Sequence, residues 1–263
     1  MQSVKIGSIL SDLKPINIGI PQGSILGPLL FILFVNDLPD SVMCKTVMYA
    51  DDTSLLVSSS DPLCLQNHLN HNLSNIADWF RRNELTLNLS KTKLMLFGSP
   101  HNLDKFNNIA LMYDGDNIEK VDHFKYLGLI FDSNMTWSHH IDLVASNVSK
   151  RCGVIRRVKY YLPNYILKKL ADSLVMPHFN YCSQVWSNCS ITLSSRLQVL
   201  MNNLARIILS ADIRTPIDSM MTELKWLKLD HGWNNHTLIM LFKCLTGKAP
   251  DYLCSKFTFT HSK

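Results

Sequence analysis

The chain has no Cys-x-x-Cys pair, no long apolar run, no low-complexity tract and no internal repeat. Its seven cysteines (Cys44, Cys64, Cys152, Cys182, Cys189, Cys244, Cys254) are odd in number and scattered, which argues against a disulfide framework and fits a reducing, intracellular setting. His178, Cys182 and Cys189, with His231 and His236 further on, form a loose cluster. Zinc patterns pair short ligand spacings and this one does not, so buried thiols and ordinary histidines are expected. The longest apolar run, Leu29 to Val35, is far short of the roughly twenty residues of a membrane span. The opening Met1-Gln2-Ser3-Val4-Lys5 lacks the basic-then-apolar order of a signal peptide, and a soluble protein without membrane contact is expected. The net charge is also small: 26 Lys and Arg against 21 Asp and Glu give +5, so a partner preference must come from local clustering.

What the chain does have is enough apolar material for a core, at 46% of 263 residues, in one domain or two. Ser24 is placed to cap a helix running towards Leu38, with Pro28 tolerated in its first turn. Its nearly all-round apolar surface predicts a buried helix. Thr46–Ala50 and Thr53–Val57 flank Asp51-Asp52 and read as a hairpin with acids at its turn. Asp61-Pro62 is a cap and first helical residue, followed by Leu65, Leu69, Leu73, Ile76 and Phe80 on one face. A short strand follows at Leu94–Phe97, then a hairpin between Ile109–Tyr113 and Ile118–Val121 turning at Asp114-Gly115. Phe124 to Phe131 is strand-like in composition. Beyond Asp132 the spacing becomes helical: Ser138 can cap a helix with Ile141, Val144, Val148, Cys152 and Ile155 on one face, and Leu193, Leu197, Leu200, Leu204 and Ile207 form another stripe. The fold class is α+β, dividing near residue 133 into a mixed part, 1–132, and a mostly helical part, 133–263.

Two segments carry the chemistry. Asp51-Asp52 alone is an ordinary turn pair, but two carboxylates held between apolar strands repel and lose solvation unless a cation compensates, and hard oxygen donors suit Mg²⁺. Gln22-Gly23 precedes a helix start, where backbone N–H groups favour anions and glycine lets a ligand approach closely; a plain turn leading into the helix is the other reading. From Lys150 to Lys169 the chain carries Lys150, Arg151, Arg156, Arg157, Lys159, Lys168 and Lys169 with no acid between, interleaved with Tyr160, Tyr161 and Tyr165. Such a patch can follow a phosphate backbone or be the solvated face of a helix. Trp186, Trp226 and Trp233 lie among apolar stripes and are expected in the core.

With these residues in place, the chain resembles the reverse transcriptases of non-LTR, LINE-type retrotransposons, of the jockey-like kind. Gly19–Phe31 is similar to that family's motif B, and Tyr49-Ala50-Asp51-Asp52 to motif C. Leu63–Arg81 with Asn83–Lys93 is similar to motif D, and Phe124-Lys125-Tyr126-Leu127-Gly128 to the primer-grip motif E. The resemblance implies an RNA-directed DNA polymerase working on an RNA template, a DNA primer and deoxynucleotides, with two Mg²⁺ ions. It implies that Asp51 and Asp52 bind the metal and that Gln22 and Gly23 contact the incoming nucleotide. Lys91 would sit near the pyrophosphate, with a solvated loop lysine as the alternative. Tyr126, Leu127 and Gly128 would hold the primer end, and Lys150, Arg151, Arg156, Arg157 and Lys159 would grip the duplex from a thumb. It implies an intracellular, nuclear place of work.

The family takes a further carboxylate from a motif A strand, which is expected to lie upstream of Met1. Asp12 reads as a loop residue, and Asp37 lies about twenty ångströms along the motif B helix from its start. Neither is placed to complete the site. The expectation is therefore a partial palm and a helical thumb, inactive alone, with an unpaired hairpin edge that needs an upstream segment or partner. A non-catalytic nucleic-acid-binding remnant, or a product with no stable role, is the alternative.

Overall fold

In a computed structural model of the protein, residues 3–15 and 23–258 are described. The elements in order are β1 (Lys5–Ile6), β2 (Ile9–Leu10), α1 (Gly27–Val35), β3 (Lys45–Tyr49), β4 (Asp52–Leu56), α2 (Pro62–Arg82), β5 (Lys93–Leu94), α3 (Pro100–Lys105), β6 (Leu111–Tyr113), β7 (Asp116–Lys120), β8 (His123–Tyr126) and β9 (Leu129–Asp132). Then come α4 (Ser138–Val158), α5 (Asn164–Leu174), α6 (Met176–Asn180), α7 (Ser183–Trp186), α8 (Ile191–Leu209), α9 (Ile217–Leu224), α10 (Leu229–Leu245) and α11 (Asp251–Cys254). The fold class is α+β, with small, mostly antiparallel sheets and a helical C-terminal part. No described helix is long and apolar enough to cross a membrane.

The chain forms two compact units, one of residues 1–94 and 101–120, the other of 95–100 and 121–263. In the first, α2 begins as its sequence predicts: Asp61 Oδ2 accepts the Cys64 N–H at 2.7 Å, satisfying a first-turn donor. Leu65, Leu69, Leu73, Ile76 and Trp79 are buried along one face, each contributing roughly 1.5–3 kcal/mol of transfer free energy. The strand order β5-β7-β6 places β6 in the antiparallel hairpin with β7, whose turn is Asp114 (φ 48°) and Gly115 (φ 93°). The buried Asn72 side chain accepts the Met43 N–H at 2.7 Å and donates to the His68 carbonyl at 2.7 Å, so its amide is satisfied on both sides.

Helix α1 departs from expectation. It starts at Gly27, with Leu26 at the cap position and no side-chain cap bond, so Ser24 does not cap it. It stops at Val35, and a 3₁₀ turn covers Leu38–Ser41. Val35 is its one buried residue, while Leu29, Leu30, Ile32, Leu33 and Phe34 are exposed. A helix apolar on every side calls for cover on every side, and the described residues supply little of it.

The second unit is built on α4 and α8, joined by α5, α9 and α10 around Val148, Ile155, Leu167, Phe179, Trp186 and Leu204. The predicted α4 stripe, Ile141 through Ile155, is buried as a set, and Trp186, Trp226 and Trp233 are core residues. The β8–β9 hairpin groups with these helices. Its last residue, Asp132, is buried and accepts the N–H groups of Thr136 at 2.9 Å and Trp137 at 2.8 Å. Asp132, not Ser138, therefore organises the start of α4: Ser138 is the first helical residue, and Trp137 takes φ 66° with no side-chain cap. Because both bonds are charge-assisted, Asp132→Ala is expected to lower unfolding stability by about 3 kcal/mol, measurable by denaturant unfolding. Asp132→Asn, which keeps one acceptor, should lose less.

Candidate functional site

Strands β3 and β4 pair in register from Lys45↔Leu56 to Tyr49↔Asp52, leaving Ala50 and Asp51 as the two-residue connection. Ala50 adopts φ 53°, a left-handed conformation common where strands are joined so tightly. Asp51 thus stands in the turn and Asp52 opens β4, and both are exposed. Contrary to the expectation from sequence, water can solvate both carboxylates, so their proximity alone does not demand an ion. Their chemistry still suits one, since they supply hard oxygen donors for a divalent ion of the Mg²⁺ class. No group of three or more His, Cys, Asp or Glu side chains converges among the described residues. The same observation applies to His178, Cys182, Cys189, His231 and His236, which form no such group; His236 Nδ1 lies 2.9 Å from the buried Ser183 Oγ instead. β3 and β4 form a two-stranded sheet with no third strand among the described residues.

Of the glycine turn, Gln22 lies outside the described residues. Gly23 has φ 86°, and a Cβ there would meet nothing within 4 Å, so the backbone conformation, not crowding, requires glycine. Lys91 is exposed in a turn ordered by Asn88, whose carbonyl and side-chain oxygen accept the Lys91 N–H at 3.1 and 3.3 Å. Lys93, two residues on, is paired with Glu119.

Tyr126, Leu127 and Gly128 form the tip of the β8–β9 hairpin. Leu127 and Gly128 both have positive φ, 45° and 85°, a strained conformation for leucine. Tyr126 is half-buried, with a buried hydroxyl that has no hydrogen-bond partner. The hairpin is tied to α4 through β9: Phe131 packs on Trp137 at 5.2 Å between ring centroids, and Ile130 N–H donates to His140 Nδ1 at 3.4 Å. Tyr181 donates its hydroxyl to the Leu127 carbonyl at 2.8 Å, a contact across 54 residues that no local pattern announces.

His140 is buried between Trp137 and Trp186, and this burial holds its pKa below the ordinary value of 6.5. The unfolded chain therefore takes up a proton as pH falls through 6.5 while the folded chain does not. The folded state is fully favoured above that pH and loses stability below it, down to the lowered folded pKa. Unfolding midpoints measured from pH 7.5 to 5.5 should fall less steeply for His140→Asn, which keeps an acceptor for Ile130, than for the unaltered chain.

The basic stretch runs from the end of α4 into α5. Lys150, Arg156 and Arg157 are exposed, and Arg151 and Lys159 half-exposed. The ion pairs among the described residues engage none of the five, whereas Lys168 is held by Asp172 at 2.6 Å. Tyr160, Tyr161 and Tyr165 are exposed, and Lys159 lies 5.1 Å from the Tyr160 ring centroid. The stretch is thus a cationic, aromatic surface available to a polyanion.

Residues 6–131 match the reverse transcriptase (RNA-dependent DNA polymerase) family, and the chain is similar to RNA-directed DNA polymerases of transposons and mobile elements. It is 23% identical over 245 residues to a probable RNA-directed DNA polymerase from transposon X-element of Drosophila melanogaster, covering 89% of this chain and 26% of that protein. It is 30% identical over 148 residues to the RNA-directed DNA polymerase from mobile element jockey of the same species, covering 52% and 16%. To the jockey polymerase of Drosophila funebris it is 26% identical over 224 residues, covering 80% and 24%. The chain thus spans about a quarter or less of the length of these relatives. No solved structure matches it.

Proposed function

We propose that this chain supplies the palm's second catalytic wall and the thumb of an RNA-directed DNA polymerase that copies retrotransposon RNA from a DNA primer. The observation that carries this reading is the adjacent Asp51 and Asp52 at the tip of a tight antiparallel hairpin, lying within the segment matched by the family. Asp51 and Asp52 would offer carboxylate oxygens to Mg²⁺, which in such enzymes stabilises the attacking 3′-oxygen and the leaving pyrophosphate. Gln22 and Gly23 would bind the incoming deoxynucleotide, with Lys91 by its phosphates. Tyr126, Leu127 and Gly128 would support the primer end, and the cations of α4 would hold the template–primer duplex. In this reading the palm comprises 1–132 and the thumb 133–263, with the β8–β9 hairpin anchored on the thumb side.

The two-donor set and the two-stranded β3–β4 sheet both support a site completed by a further acid-bearing strand. On this reading the 263-residue polypeptide is expected to be inactive as a polymerase by itself. The test is extension of a primed RNA template: a longer polypeptide joining these residues to an upstream Asp-bearing strand should extend it with magnesium, and the 263 residues alone should not. Extension by the shorter polypeptide would refute the incomplete site. A second reading, a non-catalytic nucleic-acid binder, is favoured by the cations of α4, which form no ion pair among the described residues, and would be upheld if the longer polypeptide bound primed template without extending it.

A further inference from the structure

The tip of the β8–β9 hairpin is held from outside the hairpin. Leu127 and Gly128 are exposed and both left-handed, a conformation that costs a leucine about 1–2 kcal/mol even in a tight hairpin and so gains from support. Tyr181 gives that support twice. Its hydroxyl donates to the Leu127 carbonyl at 2.8 Å, and a Cβ added at Gly128 would lie 3.0 Å from Tyr181 Cε1, so the ring rests against the turn. The backbone of Tyr181 is itself anchored in the helical core: its N–H donates to the Pro177 carbonyl at 2.9 Å, and its carbonyl accepts the buried Trp186 indole N–H at 2.8 Å. The ring is about half exposed, at 53%.

We propose that Tyr181 is a positioning residue for the primer end: it locks the Leu127–Gly128 turn against the helical core and so fixes the platform on which a recessed 3′ terminus rests. This rests on the reading of Tyr126–Gly128 as the primer-holding segment. The side chain acts through the turn and takes no part in nucleotide transfer.

The test compares equilibrium binding of the full 263-residue chain to an RNA–DNA duplex with a recessed primer 3′ end and to a blunt duplex of equal paired length. Hydrogen exchange over residues 126–129 is measured alongside. The unaltered chain should prefer the recessed end. Tyr181→Phe, which keeps the ring and loses the hydroxyl, should reduce that preference about fivefold, the worth of one neutral hydrogen bond. Tyr181→Ala should reduce it at least as much. Both should accelerate exchange in the turn while leaving blunt-duplex affinity unchanged; a merely structural role would weaken both duplexes together and so overturn the proposal. Full preference and unchanged exchange in Tyr181→Ala would also overturn it. If Gly128→Ala loses the preference while both Tyr181 variants keep it, the primer-holding turn stands and the role of Tyr181 falls. If the unaltered chain shows no preference, the primer-holding reading falls first and the proposal with it.

Discussion

Asp51→Asn is expected to cut magnesium-dependent primer extension by about a thousandfold or more in a polypeptide that joins this chain to an acid-bearing strand. The amide keeps the size of the side chain but removes the negative charge that a hard divalent ion requires of its ligands. Ion-mediated stabilisation of the transferring phosphoryl oxygens amounts to several kcal/mol, and about 4 kcal/mol corresponds to three decades of rate. Asp52→Asn should do less, since Asp52 begins β4 opposite Tyr49 while Asp51 stands in the turn itself. Because both side chains are exposed, neither substitution should move the unfolding free energy by more than about 0.5 kcal/mol. Loss of activity can then be assigned to chemistry. Extension by Asp51→Asn within tenfold of the unaltered polypeptide would remove Asp51 from the metal site.

The second large effect is electrostatic. If Lys150, Arg151, Arg156, Arg157 and Lys159 all contact phosphates, the logarithm of the duplex binding constant should fall against that of salt concentration with a slope of roughly −4 to −5. Replacing Arg156 and Arg157 together by alanine should shrink the slope by about 2 and weaken binding about a hundredfold at low salt, two charge-assisted contacts being lost. Both arginines are exposed near the end of α4, so folding should be little affected. Their last-turn position favours cations through the helix dipole, which is the competing reason for them to be there. Binding indifferent both to salt and to the double substitution would leave the dipole as their whole explanation. Lys168 is the internal contrast: tied to Asp172, it should contribute less to the slope than Arg156 or Arg157.

Elements governed by near neighbours were legible. Asp61 and the Leu65–Leu69–Leu73–Ile76 spacing announced α2 because a cap and a 3.6-residue stripe act within one or two turns. Asp114-Gly115 announced its turn because the left-handed region is open to those residue types. The Asp51-Asp52 hairpin was legible to within a residue: Ala50 joined Asp51 in the connection, and Asp52 moved into the strand. Two serines misled, because a cap preference says what can accept an N–H and not which competitor will. At α4 the competitor was Asp132, buried and carrying two acceptors. The environment of α1 was misread because composition reports what a helix would gain from burial, whereas burial itself requires an opposing surface.

Residue type and spacing along the chain were enough for the α+β class, the order of the motif segments, the acidic pair at a hairpin tip and the cation-rich stretch free of acids. That Asp51 and Asp52 are solvated, that Asp132 starts α4, and that Tyr181 seats the Leu127–Gly128 turn became visible in the folded chain alone. Those outcomes depend on which groups meet across long intervals of chain, as Tyr181 meets Leu127 and Trp233 meets Phe179, each 54 residues apart. Such meetings are set by how helices and strands share one core, a competition among many surfaces that no short window of residues contains.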